Sequence, residues 1–306
     1  MKSKLVLAHI SMFLVALFYA SNFTIAKQVM PEYIQPFGFI VLRVIAASIL
    51  FWISHTLFIR EKVENKDMLW MALCAVFGVA VNQLMFFKGL NLTTPINGAL
   101  IMLTTPILVL LISAVALKER ITSLKVIGIS LGVIGALVLI WGNSTSTVPN
   151  APNPLLGNIF IGINAASYAC YLILIKPLMA KYHPITILKW IFSIGLLYVL
   201  PFGLGEFRAI EWSTFSTNIW LAVIYVLVVV TFLAYLFNAA ALKVVNPSVV
   251  GTYIYLQPLL AGTIAVLAGQ DSITWRLVAA GALIFVGVYM VSYQKKETKP
   301  TLEEQG

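Results

Sequence analysis

The chain of 306 residues is 60% apolar and 10% charged, against about a quarter charged in ordinary soluble domains, which excludes a water-soluble globular fold. Its net charge of +9, from 20 Lys and Arg against 11 Asp and Glu, crowds into short gaps between apolar runs. That distribution marks membrane topology and argues against a nucleic-acid partner.

Ten apolar runs cover residues 5–26, 36–59, 68–90, 95–117, 122–141, 154–175, 184–204, 216–241, 247–268 and 275–293. Each has about the 20 residues that cross a hydrocarbon core about 30 Å thick. Unpaired backbone groups are so costly in lipid that runs of this length without alternation are helices. The expected class is therefore an all-α integral membrane protein of ten transmembrane helices in a lipid bilayer. Spans and short connections use nearly all of the chain, leaving no soluble domain.

The first run exceeds the roughly 7 to 15 residues of a cleavable signal core and reads as a retained span. It brings Tyr19 and Asn22 together, with His9 near its inner end. In the second, Arg43 follows Pro36 by seven residues, so it lies about 10 Å into the helix. Snorkelling to the interface, a buried pair and an anion-binding role all remain open for it. Asn82 and Gln83 mark the third run, while Asn97 and Thr104 share a face of the fourth. Thr122 and Thr274 read as N-caps of the fifth and tenth helices. A polar stretch, GNSTSTVPNAPNP at 142–154, separates the first five runs from the last five.

In the sixth run Asn164, Ser167, Tyr168 and Tyr171 form a stripe, and Lys189 enters the seventh near its start. Thr231, Tyr235 and Asn238 lie at i, i+4 and i+7 in the eighth, as do Ser248, Thr252 and Tyr255 in the ninth, followed by Gln257. Polar side chains in lipid turn toward the bundle interior or a wet cavity, so these groups are the candidate lining of a solute pathway. Helix-to-helix hydrogen bonding explains single Ser and Thr residues equally well. Cys74 and Cys170 sit inside helices and suit inert packing.

With the amino terminus in the cytoplasm, Lys2, Lys4, Arg60, Lys62, Lys66, Lys118, Arg120, Lys125, Lys176, Lys181, Lys243, Lys295, Lys296 and Lys299 all fall inside. Only Lys27, Lys88, Arg208 and Arg276 fall near the outside. The asymmetry puts both termini in the cytoplasm of a multi-pass plasma-membrane protein. Lys27 and Lys176 end matching helices on opposite sides, where a cation complements the helix dipole.

A shift of 152 positions lays the segment from Gly89 over that from Ala241 without a gap. Pro95 then meets Pro247, Pro106 meets Pro258, Glu119 meets Asp271, and the Ile-Thr step at 121–122 meets that at 273–274. ALFYASNFTIAK at 16–27 lies more loosely over AASYACYLILIK at 165–176. The chain reads as two five-helix repeats, 1–141 and 154–293, with an external linker at 142–153 and a cytoplasmic tail at 294–306. An odd number of spans inverts the second repeat about a pseudo-two-fold axis in the membrane plane. Pro106 and Pro258 interrupt matching helices near mid-depth and free the carbonyls of Met102 and Ile254. Interruptions at matching places in two inverted halves point to a transporter's substrate site.

The duplicated pattern, TTP to KERIT to Gly135 (104–135) and LQP to GQDSIT to Gly287 (256–287), resembles the EamA domains of the drug/metabolite transporter superfamily, as do SNFTIAK at 21–27 and LRVIAAS at 42–48. Gln270-Asp271 departs from the Gly-Glu common there. The resemblance spans the chain and implies a basket-like bundle whose central cavity is lined by the first, third and fourth spans of each half and works by alternating access. It also implies transport of a small molecule, often efflux of amino acids or related compounds. Uptake or facilitated passage of another small solute is the alternative.

None of the 11 Asp and Glu falls in mid-span, so a carboxylate proton relay is not expected. Mid-span carboxylate pairs, HExxH and phosphate-cradling loops are missing from the sequence, and its GxSxG match, GISLG at 128–132, falls inside the fifth apolar run, which argues against a membrane enzyme, a metal or a cofactor. A non-transporting receptor would leave the polar stripes unexplained. Proton or counter-substrate coupling and homodimer formation stay open.

Overall fold

The computed structural model describes residues 2–93, 98, 101–142, 153–267 and 275–293. Its elements in chain order are α1 (Lys2–Val29), α2 (Pro36–Phe58), α3 (Asn65–Leu92), α4 (Thr105–Ala116), α5 (Ser123–Gly142), α6 (Pro154–Lys181), α7 (Pro184–Arg208), α8 (Thr217–Leu242), α9 (Pro247–Thr252), α10 (Leu256–Leu267) and α11 (Trp275–Ser292). The described residues are helical with no strand. Against ten expected spans, six helices (α1, α2, α3, α6, α7 and α8) are long and apolar enough to cross a membrane, and 105–116, 123–138 and 278–292 are shorter apolar helices. Asn97, Pro95, Asp271, Thr274, the linker between Gly142 and Asn153, and the tail lie outside the described residues.

Helix starts follow local chemistry. Proline, whose missing donor costs nothing in the first turn, opens α2, α6, α7 and α9. The Asn153 side chain accepts from the Leu156 amide at 3.1 Å to cap α6. Thr122 accepts from Lys125 N at 3.3 Å, as its N-cap reading requires. Two carboxylates satisfy orphan donors across helices. Glu206 of α7 accepts from the amides of Phe37 and Gly38 at 2.7 and 2.9 Å, and Glu61, beyond α2, accepts from His183 N at 2.8 Å.

Lipid is as apolar as leucine, so packing and polar contacts hold such helices together. Gly128 and Gly135 let α5 approach α11: a Cβ there would lie 2.7 Å from Gly287 O and 3.0 Å from Ala280 O. Phe51 packs against Phe192 and Phe232 at ring separations of 5.3 and 4.7 Å, tying α2 to α7 and α8. Pairs of this kind add about 0.5–1.5 kcal/mol beyond their buried area. Lys176 donates to the carbonyls of Leu242 and Val245 at the end of α8, as a cation near a helix C-terminus should. Asp67 accepts from Lys181 at 3.0 Å and Tyr182 at 2.8 Å, and Ser248 and Lys125 both donate to Glu119. Cys74 and Cys170 are free thiols.

Four irregular stretches position the interior. The chain turns at 103–104 before α4, and Tyr253–Tyr255 forms a 3-10 turn between α9 and α10. These interruptions lie just ahead of Pro106 and Pro258, where the sequence places them. Val76–Ala80 in α3 and Val226–Leu233 in α8 are π-helical, which the sequence did not announce. Such wide turns are rare and frequent at functional sites.

Candidate functional site

Side chains from α1, α2, α3, α6, α8 and the α9–α10 junction, with Met102, enclose a cavity of about 110 Å³. On this scale one water takes about 10–15 Å³, so several waters or one small solute fit. The irregular stretches account for its placement. Asn82 and Gln83 follow the π turn of α3 directly, Val230 lies within that of α8, and Tyr253 and Ile254 lie in the 3-10 turn.

Arg43 reaches the cavity wall as a buried side chain, which decides against snorkelling. Its Nε donates to Thr231 Oγ1 at 2.9 Å, and its guanidinium carbon lies 4.9 Å from the centre of the Phe87 ring. The Thr231 hydroxyl donates in turn to Val226 O at 2.8 Å, across the widened turn of α8. Among the described residues no carboxylate pairs with Arg43. A buried guanidinium with free donors and no counter-ion can take an anion in bidentate fashion.

Around it stand Asn22, Gln83, Asn164 and Asn238, each at least nine-tenths buried. Three of them use a donor. Gln83 Nε2 donates to the Tyr235 hydroxyl at 3.4 Å, which donates to Gly78 O at 2.9 Å, while Asn164 Nδ2 donates to Asn82 O at 2.7 Å. Asn238 Nδ2 donates to the Tyr168 hydroxyl. The four amide oxygens of Asn22, Gln83, Asn164 and Asn238 have no partner among the described residues. Leaving a buried acceptor unmet costs about 1–3 kcal/mol, and these four oxygens are closed within the walls of the cavity and do not open on it.

Of the candidates read from sequence, Tyr19, Asn22, Arg43, Asn82, Gln83, Tyr168, Tyr235, Asn238 and Gln257 line this cavity. Four described candidates do not. Tyr171 is buried against α3, where a Cβ on Gly78 would lie 2.3 Å from its ring. Tyr255 packs on Gly132 in the same way and donates to Leu103 O at 3.3 Å. Thr252 donates to Ser248 O at 2.8 Å, and Thr104 is exposed and donates to Ile101 O at 2.7 Å. In the ninth span the stripe of Ser248, Thr252 and Tyr255 is thus satisfied inside the protein, and Val250, Tyr253, Ile254 and Gln257 face the cavity instead. At the first interruption the carbonyls of Ile101 and Leu103, on either side of the expected Met102, accept from Thr104 and Tyr255.

Asn164 also lines the cavity, and Tyr253 is a lining polar residue that the sequence reading did not single out. Asn164 belonged to the stripe seen in the sixth run. Tyr253 carried no spacing signal, and its hydroxyl shares a 2.7 Å hydrogen bond with His9 Nδ1. Lys189 stands away from the cavity, 3.3 Å from His55 Nδ1 and over the Trp52 and Trp190 rings at 4.3 and 5.0 Å. No cluster of three or more His, Cys, Asp or Glu suited to a metal occurs among the described residues.

Residues 6–141 and 155–293 each match the model of a family described as EamA-like transporters. The chain is 24% identical over 292 residues to the uncharacterized transporter YyaM of Bacillus subtilis, covering 95% of each. It is 27% identical to an uncharacterized transporter of Archaeoglobus fulgidus, covering 80% of this chain and 87% of that one. A WAT1-related protein of Arabidopsis thaliana is 22% identical, with 92% and 82% covered. A protein crystal structure with a TM-score of 0.73 and 19% identity, covering 92% of this chain and 95% of its own, shares the fold.

Proposed function

This chain belongs to the EamA-like transporter family, and from that premise we propose that it exports a small metabolite, such as an amino acid or related compound, by alternating access to the central cavity. In this reading ten spans form two inverted five-helix repeats, 1–141 and 154–293, joined by an external linker, in the plasma membrane with both termini cytoplasmic. The solute sits against Arg43 and the surrounding amide groups.

The observation that carries the reading is the coincidence of a polar cavity with irregular helices at matching positions. Shifted by 152 positions, the π turn at 76–80 falls within that at 226–233. Two hydrogen bonds, Gln83 to Tyr235 and Tyr255 to Leu103, each join positions 152 apart. In an object with a two-fold axis a residue meets its own counterpart only beside that axis. These contacts therefore support an axis running through the cavity, where a transporter built of inverted repeats holds its substrate.

Purified protein in liposomes preloaded with a panel of unlabelled amino acids and related metabolites is expected to give saturable counterflow of the matching labelled solute. Flux no greater than that of empty vesicles across the panel would overturn the proposal.

A further inference from the structure

The groups that open on the cavity differ between its two ends. We infer that it holds a monoanion with a carboxylate head on Arg43 and a short aliphatic body lying along α1. The inference deepens the transport reading by naming a solute class, and rests on that reading only in taking this cavity as the solute's site.

Arg43 sets the head. Its Nε is used, donating to Thr231 Oγ1 at 2.9 Å, and the Thr231 hydroxyl is itself held to Val226 O at 2.8 Å. The two Nη groups remain. They have no partner among the described residues and, unlike the four amide oxygens, are not closed off from the cavity. A guanidinium pinned at Nε presents the pair of N–H donors at its end, which match the two oxygens of a carboxylate. The Tyr19 hydroxyl, within electrostatic reach of Arg43, is open in the same way. Arg43 is the single formal charge among the described lining residues, so an anion is attracted and a cation repelled in any dielectric, with water present or not. No carboxylate lines the described wall to receive an ammonium group.

The other end sets the body. Met12, Val15 and Ala16 line the cavity from α1 one to two turns before Tyr19, roughly 5–10 Å from it along the axis. Val250 and Ile254 line the same end, because the 2.7 Å hydrogen bond between His9 Nδ1 and the Tyr253 hydroxyl ties the α9–α10 junction to α1 one turn before Met12. That bond also occupies the Tyr253 hydroxyl, and Gln257 comes only a turn later along α10, so the wall here is aliphatic. A carboxylate alone would leave water against it. Displacing loosely held water from such a wall with an apolar group adds affinity in proportion to the area covered.

Hexanoate, hexanol, hexylamine and acetate separate head from body, and norleucine adds an ammonium group to hexanoate. Binding to detergent-purified protein, read as ligand-dependent thermal stabilisation, should place hexanoate on the order of tenfold or more tighter than acetate or hexanol. Norleucine should bind no tighter than hexanoate, and hexylamine more weakly than hexanol. Arg43→Gln should level hexanoate with hexanol. Thr231→Val should weaken hexanoate and spare hexanol, and Thr231→Ser should restore hexanoate. Ala16→Leu, which fills the aliphatic end, should bring hexanoate down to acetate, and Val250→Thr should narrow the same gap with little change of volume. Acetate or hexanol matching hexanoate, norleucine binding more tightly than hexanoate, hexylamine surpassing hexanol, or no stabilisation by any of the five would each overturn the inference. Hexanoate ranked first without counterflow of any solute in liposomes would sink the transport reading and leave the solute class standing; counterflow of a metabolite by protein that does not bind hexanoate would do the reverse.

Discussion

The polar groups at the helix ends and those around the cavity are chemically alike but differ in how completely they are met. Glu206 takes two backbone amides, Asp67 takes a lysine and a tyrosine, and Lys176 closes two carbonyls at the end of α8. Around the cavity, among the described residues, an arginine lacks a counter-ion and four amide oxygens lack donors. Groups of the first kind hold helices in place, and removing one should cost folding. Groups of the second kind are left open by the fold, and removing one should cost the solute.

The sharpest break of that contrast is Arg43→Gln. Losing one side of a buried charge pair costs about 2–5 kcal/mol, so transport efficiency should fall on the order of 100-fold or more in initial-rate counterflow. The melting temperature should hold or rise, because an unpaired buried cation has gone. A large drop in melting temperature would move Arg43 into the structural group. Glu206→Ala should do the opposite, lowering stability by about 1–3 kcal/mol through two unmet amides at the start of α2, with the counterflow rate of the folded protein unchanged. Unaltered thermal stability would show that water replaces the carboxylate.

Smaller effects probe the middle ground. Asn238→Leu should weaken solute binding about tenfold, equivalent to one hydrogen bond in a site built for it, and leave the melting temperature nearly constant. Thr252→Val should change neither transport nor stability by more than about 0.5–1 kcal/mol, since its hydroxyl only returns to Ser248 O within its own helix. A strong transport defect in that variant would restore Thr252 to the pathway.

Much of this arrangement could be read from the residues alone. The depth of Arg43 beyond Pro36 set a buried role beside snorkelling, and its burial selects the former, while the spacing of Tyr235 and Asn238 put both on the cavity face. Tyr171 was misplaced because it continues the stripe of Asn164 and Tyr168, yet it fills a notch opened by Gly78 on a neighbouring helix, a complementarity between distant segments that spacing does not carry. The ninth span was assigned the wrong face for a different reason. A 3-10 turn advances 3.0 residues per turn where an α-helix takes 3.6, so the three residues of Tyr253–Tyr255 shift the helical phase. The widened turns in α3 and α8 arise in ordinary apolar sequence, VFGVA and VLVVVTFL, whose residue types do not separate π from α geometry.

The widened turn of α3 makes the orientation of Asn82 and Gln83 a matter of counting. It holds one residue more than a regular helix would use, so the same residues wound as a continuous α-helix, without the wide turn, would have everything beyond rotated by about 100° about the axis. Such a protein would keep its hydropathy and its span, yet aim its amides at a neighbour or at lipid. The inward polarity of this wall is therefore set by how the backbone is wound as much as by residue type.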